Sequence, residues 1–277
     1  MKQLRDFKLS LNASTLFPFD LNVINQINVA ASAGYDGIEL WVRDIQNYLE
    51  MVGSIKELTK CIDKSGIEVV NAITFFKWSD ANEATRRQGL KEAEQEMALL
   101  KEIGCKAVAA PPIGNVADLP LQTIAEHFRE LTVLADRIGI DVYLEFWGKA
   151  PKLKTLSEAM FVALESGLSD VKLLIDPFHM YTGGSSFNGL AYLKQEHIGI
   201  FHVNDYPAYP PRDEVTDTER VFPGDGIAPS AQVANYLEKM NYKGYLSLEL
   251  FIENYRNQSA LEVARHGLEK MKLTYLR

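Results

Sequence analysis

Short runs of β-branched, aromatic and leucine side chains alternate along this chain with longer stretches whose apolar residues recur at helical spacing. The first run is FKLSLNA (7–13). The stretch after it, LNVINQINVAASAG, predicts a helix with Asp20 as its N-cap and Gly34 as its stop. GIELWV (37–42) follows, with a helix over 54–65 ended by Gly66, then IEVVNAI (67–73), with a charged helix over about 83–103 ended by Gly104. KAVAA (106–110) is closed by Pro111 and Pro112 and precedes a helix over 121–138. The last four strands are DVYLEF (141–146), VKLLID (171–176), IGIFHV (198–203) and GYLSLEL (244–250), with helices near 157–166, 186–196, 229–240 and 259–276.

Eight strand–helix units is the number that closes a parallel sheet on itself, whereas open doubly wound sheets have fewer strands. No GxGxxG follows the first strand, which argues against a dinucleotide fold. The pattern therefore predicts the α/β class, a (β/α)8 TIM barrel, with residues 1–277 forming a single domain. The two longest loops, 74–82 and 204–228, both follow strands and so belong to the face on which such barrels build their active sites.

Composition adds exclusions. The chain has 277 residues, of which 47% are hydrophobic and 24% charged, enough for a large core. A net charge of −8 is no footprint for nucleic acid. Cys61 and Cys105 show no CxxC spacing, so neither a disulfide framework nor a thiolate zinc site is expected. MKQLRDFKLSLNAS has no apolar core of the signal-peptide kind, and no run reaches the roughly 20 apolar residues of a membrane span. The expectation is a cytoplasmic protein that engages neither membrane nor nucleic acid; homo-oligomerisation is left open.

Four residues then stand out because they end apolar strands with charge: Glu145, Asp176, His202 and Glu249. Charged groups are costly in a sheet unless paired or bound to metal. In a closed barrel, strands five to eight lie side by side, and three carboxylates with one imidazole form a hard donor set for one divalent ion: Mn, Zn, Mg or Co. Each of the four taken alone reads more readily as a cap, an ion pair or a core histidine; four at one end of consecutive strands point to the metal.

The stretches NAITFF (71–76), YLEFWG (143–148), LLIDPFHM (173–180), FHVND (201–205), TDTERVFPGDG (216–226) and LSLELF (246–251) resemble the xylose isomerase-like sugar isomerase/epimerase superfamily over nearly the whole chain, and within it the inosose isomerases. The resemblance implies that Glu145, Asp176, His202 and Glu249 bind the metal and that His179 and Arg220 contact substrate. The implied reaction is isomerisation of a keto-polyol or ketose, 2-keto-myo-inositol (inosose) first, by proton transfer through an enediolate. Glu145 and Glu249 are the acid/base candidates. A ketose 3-epimerase and a dehydratase of a keto-cyclitol or dehydroshikimate-like acid are the rivals.

Other residues carry two readings. Asn12 and Asn71 either hydrogen-bond a polyol or cap loops. Trp41, Phe75, Phe76, Phe146 and Trp147 either stack on a sugar or pack the core; Trp147 is the one taken as a substrate contact. Glu39 is a site residue or a structural ion pair. Asp205 orients His202, positions the long loop or is a simple turn residue. Gly224 and Gly226 are expected to permit the turn that aims Arg220 inward. His127, His197 and His266 are expected away from the site.

Overall fold

The computed structural model describes residues 6–51 and 53–277; the N-terminal reading above thus rests in part on residues 1–5, outside the described residues. Eight parallel strands close in chain order into one barrel: β1 Lys8–Asn12, β2 Gly37–Trp41, β3 Glu68–Ile73, β4 Ala107–Ala110, β5 Asp141–Glu145, β6 Lys172–Ile175, β7 Ile198–Val203 and β8 Tyr245–Leu248. Pairing of β1 with β8, Lys8 opposite Tyr245, makes the closure. Among the described residues no helix is long and apolar enough to cross a membrane. Cys61 and Cys105 are free thiols.

Side chains alternate across each strand, so one set fills the barrel and the other meets the helices. The inner apolar set includes Trp41, Val70, Ile73, Ala107, Ala109, Tyr143, Leu174 and Ile200. The outer set, Leu9, Ile38, Val69, Val108, Leu144, Phe201 and Leu248 among others, packs under the helix ring. Phe76 and Phe146 belong to this outer set, so for these two core packing is the reading that holds.

Two register shifts position the site. Between β2 and β3, Ile38 pairs with Val69 but Glu39 pairs with Asn71, leaving Val70 as an extra residue. Between β6 and β7, Leu173 pairs with Ile198 but Leu174 pairs with Ile200, leaving Gly199 extra. An extra residue reverses the alternation beyond it. Ile198 therefore faces the helices, while Ile200 lies in the inner set with His202 on its side. Gly199 is required there because any Cβ would overlap the Tyr143 ring.

Three expectations are corrected. Asp20 is not the first N-cap: it closes a 3-10 segment, Ala13–Phe19, in the left-handed conformation (φ 48°), and Asn22 caps α1 (Val23–Ala33) by accepting from Asn25 N at 3.0 Å. A helix that the strand–loop pattern did not predict, α2 (Val42–Met51), precedes α3 (Ile55–Ser65); only Val42 and Ile45 of α2 are buried, so its apolar stripe is too thin to read. The helix expected near 186–196 is two short 3-10 turns, Phe187–Tyr192 and Gln195–His197. The remaining helices over the barrel are α4 (Glu83–Glu102), α5 (Leu121–Ile138) and α6 (Leu156–Glu165). After β6 comes α7 (Pro177–Gly183), which starts at once because Pro177 is preset for a first turn and Asp176 caps it, accepting from Phe178 N at 2.7 Å. The chain ends with α8 (Ser230–Lys239) and α9 (Ala260–Tyr275), the latter opened by a reciprocal Ser259–Glu262 cap.

Candidate metal centre

The C-terminal ends of the strands surround a cavity of about 410 Å³. Glu145 and Glu249 line it, with His179, Arg220, Trp147, Trp41, Phe75 and Phe251. At its floor Asp176, His202 and Glu249 offer ligand atoms that all lie within 4.8 Å of one another. His202 Nδ1 is 3.1 Å from Glu249 Oε2 and 3.6 Å from Asp176 Oδ2. Glu145 opens into the same cavity from β5, with Oε1 3.9 Å from His179 Nε2. Three of the four expected ligands thus converge, and the fourth faces them across the cavity.

The cation at this floor is Arg220. Its Nη1 donates to Asp176 Oδ2 at 2.6 Å and to Glu249 Oε2 at 2.8 Å, while Nε and Nη2 hold Asp217 Oδ1 at 2.9 and 2.5 Å. The guanidinium lies between the rings of Phe178 and Phe251, at 4.4 and 5.2 Å from their centroids. It reaches inward because Asp205 staples the long loop, accepting from Tyr206 N, Gly224 N and Ala228 N at 2.7–3.0 Å. Gly224 has φ 86°, and at Gly226 a Cβ would overlap Tyr206 and Asp205. Asp205 thus acts on the loop; its carboxylate has no bond to His202 among those the structure makes.

Asn12 and Asn71 turn to carboxylates. Asn12 Nδ2 donates to Glu249 Oε1 at 3.0 Å, and its Oδ1 accepts from Trp41 Nε1 at 2.9 Å. Asn71 Nδ2 donates to Glu39 Oε2 at 2.7 Å. Glu39 faces the far side of His202, Oε1 to Nε2 at 3.0 Å. Asn204 Nδ2 donates to Asp176 Oδ1 at 3.0 Å. Phe178, Asp217, Asn204 and Phe251 went unnoticed in sequence; the only available signal was Asp217 standing three residues before Arg220. His127 is buried on α5, His197 caps its own turn and His266 abuts Phe222, none of them at the cavity.

Burial and charge set the protonation states. Burial alone would raise the Asp176 carboxyl, but Arg220 beside it holds it well below the usual range. Burial would lower His202, but Glu249 and Glu39 on its two sides hold it well above. Burial raises Glu249 despite His202 and Arg220, and it pushes Glu145 up to about 8. Burial also takes His179 down to about 4, which leaves it neutral near pH 7. Near pH 7 Glu145 thus holds a proton where a cation beside it would favour the carboxylate. The hard oxygen donors and one imidazole of the cluster fit a divalent cation.

Comparison with known proteins gives the family and the fold. The family model described as xylose isomerase-like TIM barrel matches residues 27–274. An inosose isomerase of Bacillus velezensis is 27% identical over 270 residues, 95% of each chain. A 3-dehydroshikimate dehydratase of Pseudomonas aeruginosa is 25% identical over 89% of this chain and 39% of its own. Among solved structures, an IolI protein with a bound zinc atom superposes with a TM-score of 0.89 at 23% identity, covering 97% of this chain and 98% of that one.

Proposed function

The chain belongs to the xylose isomerase-like TIM barrel family, and we propose on that footing that it is a divalent-metal-dependent isomerase of a keto-polyol, 2-keto-myo-inositol first among them. The observation that carries this reading is the convergence of Asp176, His202 and Glu249 at the floor of a cavity that a second glutamate, Glu145, enters from the side. The zinc in the similar IolI structure supports a divalent ion here, held by Asp176, His202 and Glu249 with Glu145 as fourth ligand. The closure of β1 on β8 supports treating residues 1–277 as one domain. Residence in the cytoplasm belongs to the same proposal.

When bound, the ion supplies Lewis-acid polarisation of the two adjacent oxygens of an α-hydroxyketone. One glutamate of the pair takes the proton from the carbinol carbon, and the same or the other glutamate returns a proton to the neighbouring carbon. The hydroxyl proton passes to the former carbonyl oxygen, and neutral His179 is the group placed to carry it. Arg220, already aimed at the cavity floor, stabilises charge developing on the substrate oxygens. Trp147, Phe75 and Trp41 form an apolar wall suited to the C–H face of a ring and to keeping water out.

Incubation of the metal-loaded protein with 2-keto-myo-inositol in D₂O, followed by NMR, tests the reading. It requires an isomer with a migrated carbonyl and deuterium on the carbon that regains hydrogen. Inversion of a centre in a ketose, with inosose left untouched, replaces it by a 3-epimerase. Loss of water replaces it by a dehydratase, the activity named for the Pseudomonas relative.

A further inference from the structure

Glu39 is fully buried on β2, opposite His202, and is absent from the lining of the cavity. It therefore touches no substrate, and whatever it does for the site it does through His202. Both of its oxygens face the ring nitrogen Nε2, at 3.0 and 3.2 Å. A carboxylate in that position only accepts, so Nε2 must carry the proton. The other nitrogen, Nδ1, points at Glu249 Oε2 and Asp176 Oδ2.

Glu39 is itself held. Asn71 donates to one oxygen at 2.7 Å and Asn12 to the other at 3.4 Å. Asn71 can do so because the extra residue Val70 turns it into the barrel beside Glu39. An ion pair made only for stability would need neither this pair of amides nor a carboxylate on the face of His202 opposite the converging ligands.

We propose that Glu39 is the positioning residue of the metal centre: by holding the Nε2 proton it fixes the ring orientation of His202 and leaves Nδ1, the nitrogen beside Asp176 and Glu249, as the one a metal takes. This rests on the metal reading above. Carboxylates that hold the remote nitrogen of a liganding histidine contribute roughly 10–100-fold to metal affinity.

The test uses the full chain and zinc alone. In zinc-loaded wild type labelled with ¹⁵N-histidine, long-range ¹H–¹⁵N spectra should place the His202 proton on Nε2 and leave Nδ1 bare; the reverse assignment overturns the proposal and needs no variant to fold. In calorimetric zinc titrations Glu39→Gln should lose roughly 10–100-fold in affinity and show a mixture of His202 tautomers. An affinity within twofold of wild type overturns the role of Glu39 while leaving the metal centre standing. If zinc does not bind wild type at all, the metal reading falls and takes Glu39 with it.

Discussion

The two halves of the barrel mouth are built from different chemistry. Strands β5 to β8 each carry an ionisable group at or within one residue of their end: Glu145, Asp176, His202 and Glu249. Strands β1 to β4 bring amides and apolar groups toward the mouth, Asn12 and Asn71 with Trp41, Ile73 and Ala109; the acid beside them, Glu39, lies off the cavity wall. One half is loaded with charge and the other directs it: Asn12 reaches across to Glu249, and Glu39 reaches across to His202. The lesson is that buried charge is tolerated when a well-bonded partner face fixes where each polar atom points.

The sharpest break of this comparison is Glu249→Gln. It removes the proposed acid/base group and ligand from the loaded half while keeping the shape that Asn12 recognises. Turnover should fall by about 10³-fold or more, read as loss of deuterium incorporation in D₂O; near-normal exchange would show that the charged half is not where protons move.

Next comes pH. Burial pushes Glu145 up to about 8, so below that value it holds a proton that a cation must displace. Zinc affinity should rise by about tenfold per pH unit or more between about pH 6.5 and 8, because Glu145 and His202 both have protons to give up. Titrations between pH 6.5 and 9 check this, and an affinity flat from pH 7 to 9 would mean that Glu145 stays apart from the other three.

A smaller effect should separate shape from charge on the cavity wall. Trp147→Ala should raise KM by about fivefold with kcat little changed, because a stacking face contributes about 1 kcal/mol to ground and transition states alike. A fall in kcat instead would place Trp147 among the groups that act on the reacting atoms.

The smallest effect comes from an acid in neither half. Glu96, on α4, is pushed up to about 7 by burial, and its Oε2 has no hydrogen-bond partner. Its folded pKa exceeds its unfolded one, so its contribution is fully present below about pH 4.5 and is lost as pH rises through about 7. Glu96→Gln should therefore stabilise the protein by about 1–2 kcal/mol at pH 8 and by nothing measurable at pH 4, in urea melts. A stabilisation equal at both pH values would trace it to packing rather than to the charge.

The eight strands were legible because each is a compact apolar run bounded by glycine, proline or polar turns, and the four strand-end ligand candidates were legible because charge interrupts those runs. Asp176 shows where the reading stopped: as the last residue of a strand it was visible, but its second role as the cap of α7 needed Pro177 and Phe178 N to be seen in place. The polar α2 and the 3-10 turns after α7 leave too little apolar periodicity to follow. Glu39 in GIEL looks like any strand glutamate, since the partner that defines it is 163 residues away. Asp217 and the aromatic rings around Arg220 come together only through the folded loop.

Gly199 carries a consequence for any attempt to edit this protein. The hydrophobic rhythm of β7 would survive its deletion, and the shortened strand would still read as a good strand. Its loss would remove the extra residue and leave regular alternation, Ile198 outward, Ile200 inward and Phe201 outward, with His202 still on the lumen side. The frame that aims the imidazole is thus set by the residues on either side of the extra one, and what the glycine contributes is room for the Tyr143 ring.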